Sequence, residues 1–161
     1  MAKRIPLLFV LMLVASTVWA QFKILYDFSA VSGTNTLYYK ITDADAKTVA
    51  VVAPQENSRE EPSWYDHTQP KGTLIIPTTV RNGGTTYTVT SIGEKAFAYC
   101  RSLRGTLTIP STVTSIKKHA FESCRFTGTL IIPDNVKSIE RGGVKFNEEL
   151  GCCMVQASAC T

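Results

Sequence analysis

Gly72-Thr-Leu-Ile-Ile-Pro77 returns as Gly105-Thr-Leu-Thr-Ile-Pro110 and again as Gly128-Thr-Leu-Ile-Ile-Pro133. Each copy is followed by Val-x-Ser-Ile, at Val89–Ile92, Val113–Ile116 and Val136–Ile139. Two copies continue as Ala96-Phe97-x-x-Cys100 and Ala120-Phe121-x-x-Cys124. Gly105 and Gly128 lie 23 residues apart; Gly72 and Gly105 lie 33 apart, and a polar insertion at 81–88 accounts for the excess. A period in the twenties is that of a solenoid, whose turns bury their apolar sides against one another. The expected fold is therefore a β-rich solenoid.

Within one repeat, Leu107 and Ile109 alternate with Thr106 and Thr108. That is strand periodicity, with Leu and Ile pointing into the core and Thr facing out. Pro110 lacks an N–H and stops the ladder. Val113 and Ile116 form a second apolar pair on a short strand or turn. Lys118 to Cys124 is expected to close the turn as a short helix, with Ala120, Phe121 and Cys124 on one side. Phe97 and Phe121 then stack between adjacent turns. Cys100 and Cys124 hold the same place in successive repeats. Either they form a ladder of small buried residues or they bridge; the ladder is preferred, because free Cys packs as a small hydrophobe and a bridge needs close Cα atoms.

Ahead of the repeats, Thr36–Thr42 and Lys47–Ala53 are rich in aromatic and β-branched residues, with a turn signal at Asp43–Ala46. They read as an antiparallel hairpin, placed to cap the first turn of a solenoid. Gln55–Pro70 reads as a loop. Its Trp64 and Tyr65 either fold back on the cap or form an exposed contact for a sugar or protein partner. Asn82-Gly83-Gly84 fits a hairpin turn, not a phosphate-cradling loop.

The chain has 161 residues, 44% hydrophobic and 19% charged, which suits one globular domain. Residues 1–20 read as a signal peptide: Lys3 and Arg4, an apolar run from Ile5 to Val14, and Val18-Trp19-Ala20 before a cut at Ala20/Gln21. The run is too short for a comfortable membrane span, and no later segment is apolar enough for one. Without Lys3 and Arg4 the formal charge falls from +4 to +2, against the concentrated basic face of a nucleic-acid binder. The organisation expected is a signal peptide at 1–20, a β cap and loop at 21–71, repeats at 72–144 and a non-repeat tail at 145–161.

The pattern Leu-x-Ile-Pro-x-x-Val-x-Ser-Ile-x-x-x-Ala-Phe-x-x-Cys resembles the BspA-like, or Treponema-type, leucine-rich repeat over about Gly72 to Ile139. Tyr38-Tyr39-Lys40-Ile41 and Asn82–Tyr87 resemble the leader of exported members from Bacteroides-type bacteria. The resemblance implies a right-handed leucine-rich repeat solenoid with a concave sheet and a surface or secreted adhesion role. It implies no catalysis. Three departures stand out: Lys117 where the first copy has Gly93, Gly143-Val144 where the others have Ala-Phe, and a tail with Cys152, Cys153 and Cys160. Such a tail fits a naturally short form, a fragment or a frameshift. It leaves a last turn whose open edge favours self-association.

Chemistry finds few residues. The only His are His67 and His119. A Cys–His pair with His119 lacks an orienting partner, and the tail Cys lack the paired spacing of zinc sites. No catalytic residue, cofactor or metal is expected. The outward column of the first strand reads Thr73 and Ile75, Thr106 and Thr108, Thr129 and Ile131. A Thr face with two exposed Ile suits an extracellular protein or glycoprotein ligand; the same residues are also simply good strand formers. Two alternatives to adhesion are a self-associating scaffold and a carbohydrate-binding module using Trp64 and Tyr65.

Overall fold

A computed structural model describes residues 24–56, 63–64 and 66–144, and the backbone of 155–156. The expected signal peptide, Tyr65 and the tail cysteines lie outside these residues. In chain order the strands are β1 (Phe28–Ser32), β2 (Asn35–Asp43), β3 (Thr48–Val52), β4 (Gly72–Thr73), β5 (Thr79–Asn82), β6 (Thr85–Ile92), β7 (Leu103–Arg104), β8 (Leu107–Thr108), β9 (Ser115–Ile116), β10 (Leu130–Ile131), β11 (Ser138–Ile139) and β12 (Val155–Gln156).

The predicted hairpin is present as β2 and β3, antiparallel, with the Ala46 N–H donating to Asp43 Oδ1 at 2.8 Å across the turn. It is extended by β1, which pairs antiparallel with β2. Sequence reading missed β1, because Phe28-Ser-Ala-Val-Ser32 carries only two large apolar residues. The insertion after the first copy forms the second hairpin, β5 and β6, closed by Gly83-Gly84. One sheet runs in the order β1-β2-β3-β6-β9-β11, with β5 beside β6.

Repeats join this sheet through Val-x-Ser-Ile. Ile92, Ile116 and Ile139 lie in register on parallel β6, β9 and β11. The same bond recurs at each junction: Gly93 N–H to Val51 O at 2.7 Å, Lys117 N–H to Ile92 O at 2.9 Å and Glu140 N–H to Ile116 O at 2.9 Å. Hence β3 stands to the first repeat as each repeat stands to the next. That equivalence also explains the first departure noted above. A Cβ on Gly93 would come within 2.9 Å of Val51 O and Val52 Cγ1. Lys117 instead has an exposed side chain, paired with Glu140 at 3.0 Å.

The expected short helices are not formed: no helix occurs among the described residues. Residues 94–99 and 118–123 are turns. In each, alternate N–H groups close three-residue-spaced turns, such as Ala120 to Lys117 O and Cys124 to Phe121 O. The others cross to the following repeat: Lys95 to Lys118 O, Phe97 to Ala120 O and Tyr99 to Glu122 O. A helix would send every N–H four residues back along its own chain. Positive φ at Lys95, Tyr99, His119 and Ser123 breaks that pattern. In the third repeat Gly142 takes the Lys95 and His119 place at φ +70°, where glycine is unstrained.

The core follows the repeat. Leu107, Ile109, Val113, Ile116, Ala120, Phe121 and Cys124 are all buried. Phe97 and Phe121 stack at 5.3 Å between centroids and 7° between planes, as expected from their spacing. Trp64 continues the column at 6.5 Å from Phe97. Cys100 and Cys124 are buried free thiols, and Cys124 Sγ donates to Phe97 O at 3.0 Å. They occupy the places the ladder reading gave them.

Asn35, buried in β2, joins the cap to the first repeat. Its Nδ2 donates to Lys71 O at 3.1 Å and Thr73 O at 3.3 Å, and its Oδ1 accepts from Lys71 N–H at 2.9 Å. A side-chain amide thus substitutes for a neighbouring strand along the edge of β4. Asn35→Ala is expected to cost about 2–3 kcal/mol, because it strands backbone groups in a part-buried place. Urea denaturation measures this; a loss under about 0.5 kcal/mol would mean that these bonds do not hold the cap.

Candidate partner-binding face

The outward column sits on a second set of short ladders. β8 and β10 pair in parallel, with Leu107 beside Leu130 and Thr108 beside Ile131. β12 extends this ladder on the far side of β10. Leu107 N–H donates to Thr129 O at 3.1 Å, and Ile109 N–H to Ile131 O at 3.0 Å. Since strand side chains alternate, Thr106 and Thr108 share one face with Thr129 and Ile131. Thr106 and Thr108 are exposed, Thr129 is half-buried, and Ile131 is 40% exposed.

The first row departs from this register. Thr73 pairs with Arg104 on β7, not with Thr106, and Gly72 N–H donates to Ser102 O at 2.9 Å. Inward packing is unchanged, because Leu74 and Ile76 are buried as Leu107 and Ile109 are. Thr73 and Ile75 are therefore exposed like their counterparts, Ile75 by 51%, but Ile75 leans toward the β1–β2 turn. A Cβ on Gly33 would touch its Cδ1 at 3.0 Å, and Ser32 Oγ donates to Ile75 O at 2.8 Å. Arg104 becomes a neighbour of Thr73. The repeat alignment hides this cation, which the ladder offset alone places.

Trp64 does not join this face. Its ring is 3% exposed and its Nε1–H donates to Ala96 O at 3.2 Å. Burial follows from the ring's place at the end of the Phe97–Phe121 stack. The exposed-contact reading of Trp64 is thereby corrected to the fold-back one, while Tyr65 lies outside the described residues.

The Cys–His idea also loses its chemistry. A thiolate is the nucleophile, and burial raises the pKa of both core thiols, that of Cys124 to about 12. His119 has Nδ1 3.0 Å from Glu122 Oε2, without an aligned hydrogen bond. Among the described residues no group of three or more His, Cys, Asp or Glu is arranged to hold a metal. No helix among them is long and apolar enough to cross a membrane.

Residues 79–151 match the family described as BspA type leucine rich repeat region. Residues 79–151 therefore carry BspA-type leucine-rich repeats. A crystal structure of a leucine-rich repeat protein from Bacteroides ovatus is similar at 21% identity with a TM-score of 0.39. That similarity covers 80% of this chain and 39% of the other, so the chain spans well under half of that protein's length. No curated protein matches it. In the first two repeats the Ala-Phe turns and the Val and Ile of Val-x-Ser-Ile lie in the core, while Thr106, Thr108 and Ile131 face solvent.

Proposed function

We propose that this BspA-type chain is an exported protein-interaction module. Its repeats stack as a solenoid, and the face formed by Thr73, Ile75, Thr106, Thr108, Thr129 and Ile131 adheres to an extracellular protein or glycoprotein. One observation carries the reading: Thr106 and Thr108 stand beside Thr129 and the exposed Ile131 on one ladder, with no carboxylate among the six residues. Exposed apolar area within a hydroxyl-rich surface is what a protein partner desolvates at low cost. Export rests on the pattern of residues 1–20, and adhesion on the uncharged face.

The test is binding of the purified chain to immobilised extracellular-matrix glycoproteins. Changing Thr106, Thr108 and Ile131 to Glu should reduce affinity at least about tenfold, since unpaired charge would be buried at the contact. The urea midpoint should stay unchanged, because all three side chains face solvent. Full binding by the folded triple variant would move the site elsewhere.

A second reading, a self-associating scaffold, is favoured by Ile139. It is 45% exposed on β11, where the described sheet ends. Strand edges recruit other strands, and the molecular mass of the same preparations across a concentration series separates the two readings.

A further inference from the structure

We infer that the groove between the start of β2 and residues 68–71 is a saccharide-binding site. It encloses about 220 Å³ and is lined by Thr34, Thr36, Tyr38, Thr68, Gln69 and Lys71, with Asn35 beneath. The three threonine hydroxyls, the Gln69 amide and the Lys71 ammonium have no hydrogen-bond partner among the described residues. The Asn35 amide, by contrast, is fully engaged with Lys71 and Thr73 and holds the floor in place.

The Tyr38 ring is also held. It packs against Tyr26 at 4.7 Å, edge-on to Trp64 at 5.6 Å and edge-on to His67 at 5.3 Å. A fixed aromatic wall beside convergent polar groups is a preorganised site, in which little side-chain entropy is lost on binding.

The chemistry of the lining selects the ligand. Hydroxyls and an amide both donate and accept, as do the hydroxyls of a sugar ring, whose C–H face can lie on Tyr38. An apolar ligand would leave these polar groups unpaired, which is costly. A multiply charged anion would meet one cation only. The groove opens beside β4, where the Thr/Ile face begins, but the inference does not rest on that face.

The test is a series of amide chemical-shift titrations of the full chain. The probes are the methyl glycosides of glucose, galactose, mannose and N-acetylglucosamine, each to about 50 mM, a range suited to millimolar Kd values. Saturable shifts confined to residues 34–38 and 68–71 are expected from at least one probe. Changing Thr68 and Gln69 together to Ala should weaken that affinity at least about tenfold without moving the thermal midpoint, because the side chains lost make no hydrogen bond among the described residues. The inference is overturned if no probe shifts these residues, or if the shifts persist unchanged in the double variant. Shifts at the Thr/Ile face alone would also overturn it, while leaving the adhesion reading intact.

Discussion

Phe121→Ala should destabilise the fold by about 3–5 kcal/mol, the range for deleting a fully buried aromatic side chain. Phe121 has no exposed surface. One face of its ring stacks on Phe97, and Phe126 meets it edge-on at 6.1 Å. The surroundings cannot collapse easily into the space left. On both sides the backbone is held by ladder bonds, Phe97 N–H to Ala120 O and Phe121 N–H to Gly143 O. Domains of this size have total stabilities of about 5–15 kcal/mol, so the variant should lie near the edge of folding. Urea titration by circular dichroism gives the value. A loss below about 1 kcal/mol would remove Phe121 from the core and with it the aromatic column Trp64–Phe97–Phe121. Phe121→Leu should recover part of the loss, since most of the apolar volume returns.

Alkaline pH should unfold the protein through its buried thiols. Cys100 and Cys124 both have raised pKa values, chiefly because burial disfavours a thiolate. At Cys100 the charge of Cys124 adds to the rise, while at Cys124 the Cys100 N–H partly offsets it. In the unfolded chain both ionise near 9. Below that pH both states hold these protons, and the stability is fully present. Above it the unfolded chain releases protons that the folded chain keeps, so stability falls as pH rises. With both thiols ionised in the unfolded state the slope approaches about 2.7 kcal/mol per pH unit. Between about pH 9 and 10.5 the loss should reach roughly 3 kcal/mol. Tyr39 steepens the fall above its ordinary value of 10.0, because its buried hydroxyl is pushed up to about 12. Urea midpoints in reducing buffer at about pH 7.5, 9 and 10.5 measure the effect. Changing both cysteines to Ala should flatten the decline below about pH 10. A midpoint that does not move with pH would mean the thiols ionise as freely in the folded chain, which their burial forbids.

The candidate face was legible in the sequence for a local reason. Thr106, Leu107, Thr108 and Ile109 alternate within one strand, and alternation dictates which side chains face out. The neighbours of that face were not legible. Arg104 stands beside Thr73 only because β4 pairs with β7 ahead of the repeat motif. The groove at Tyr38 joins residues 34–38 to residues 68–71, which no short-range pattern connects.

By itself the sequence determined the repeat unit and its inward set: Leu107, Ile109, Val113, Ile116, Ala120, Phe121 and Cys124 are apolar, recur with the period and are all buried. It also determined both hairpins, through turn residues at Asp43–Ala46 and Gly83-Gly84. Tertiary structure decided where backbone N–H groups go. Lys118–Ser123 has helical spacing of its apolar residues, yet Phe97 and Tyr99 find carbonyls in that next repeat, and positive φ at His119 and Ser123 keeps those carbonyls aimed across. It decided too that Trp64 closes the aromatic stack and that β1 joins the cap. The division has one physical cause: side-chain periodicity is a property of a segment, whereas a hydrogen-bond partner or a ring's burial depends on what the fold sets opposite it.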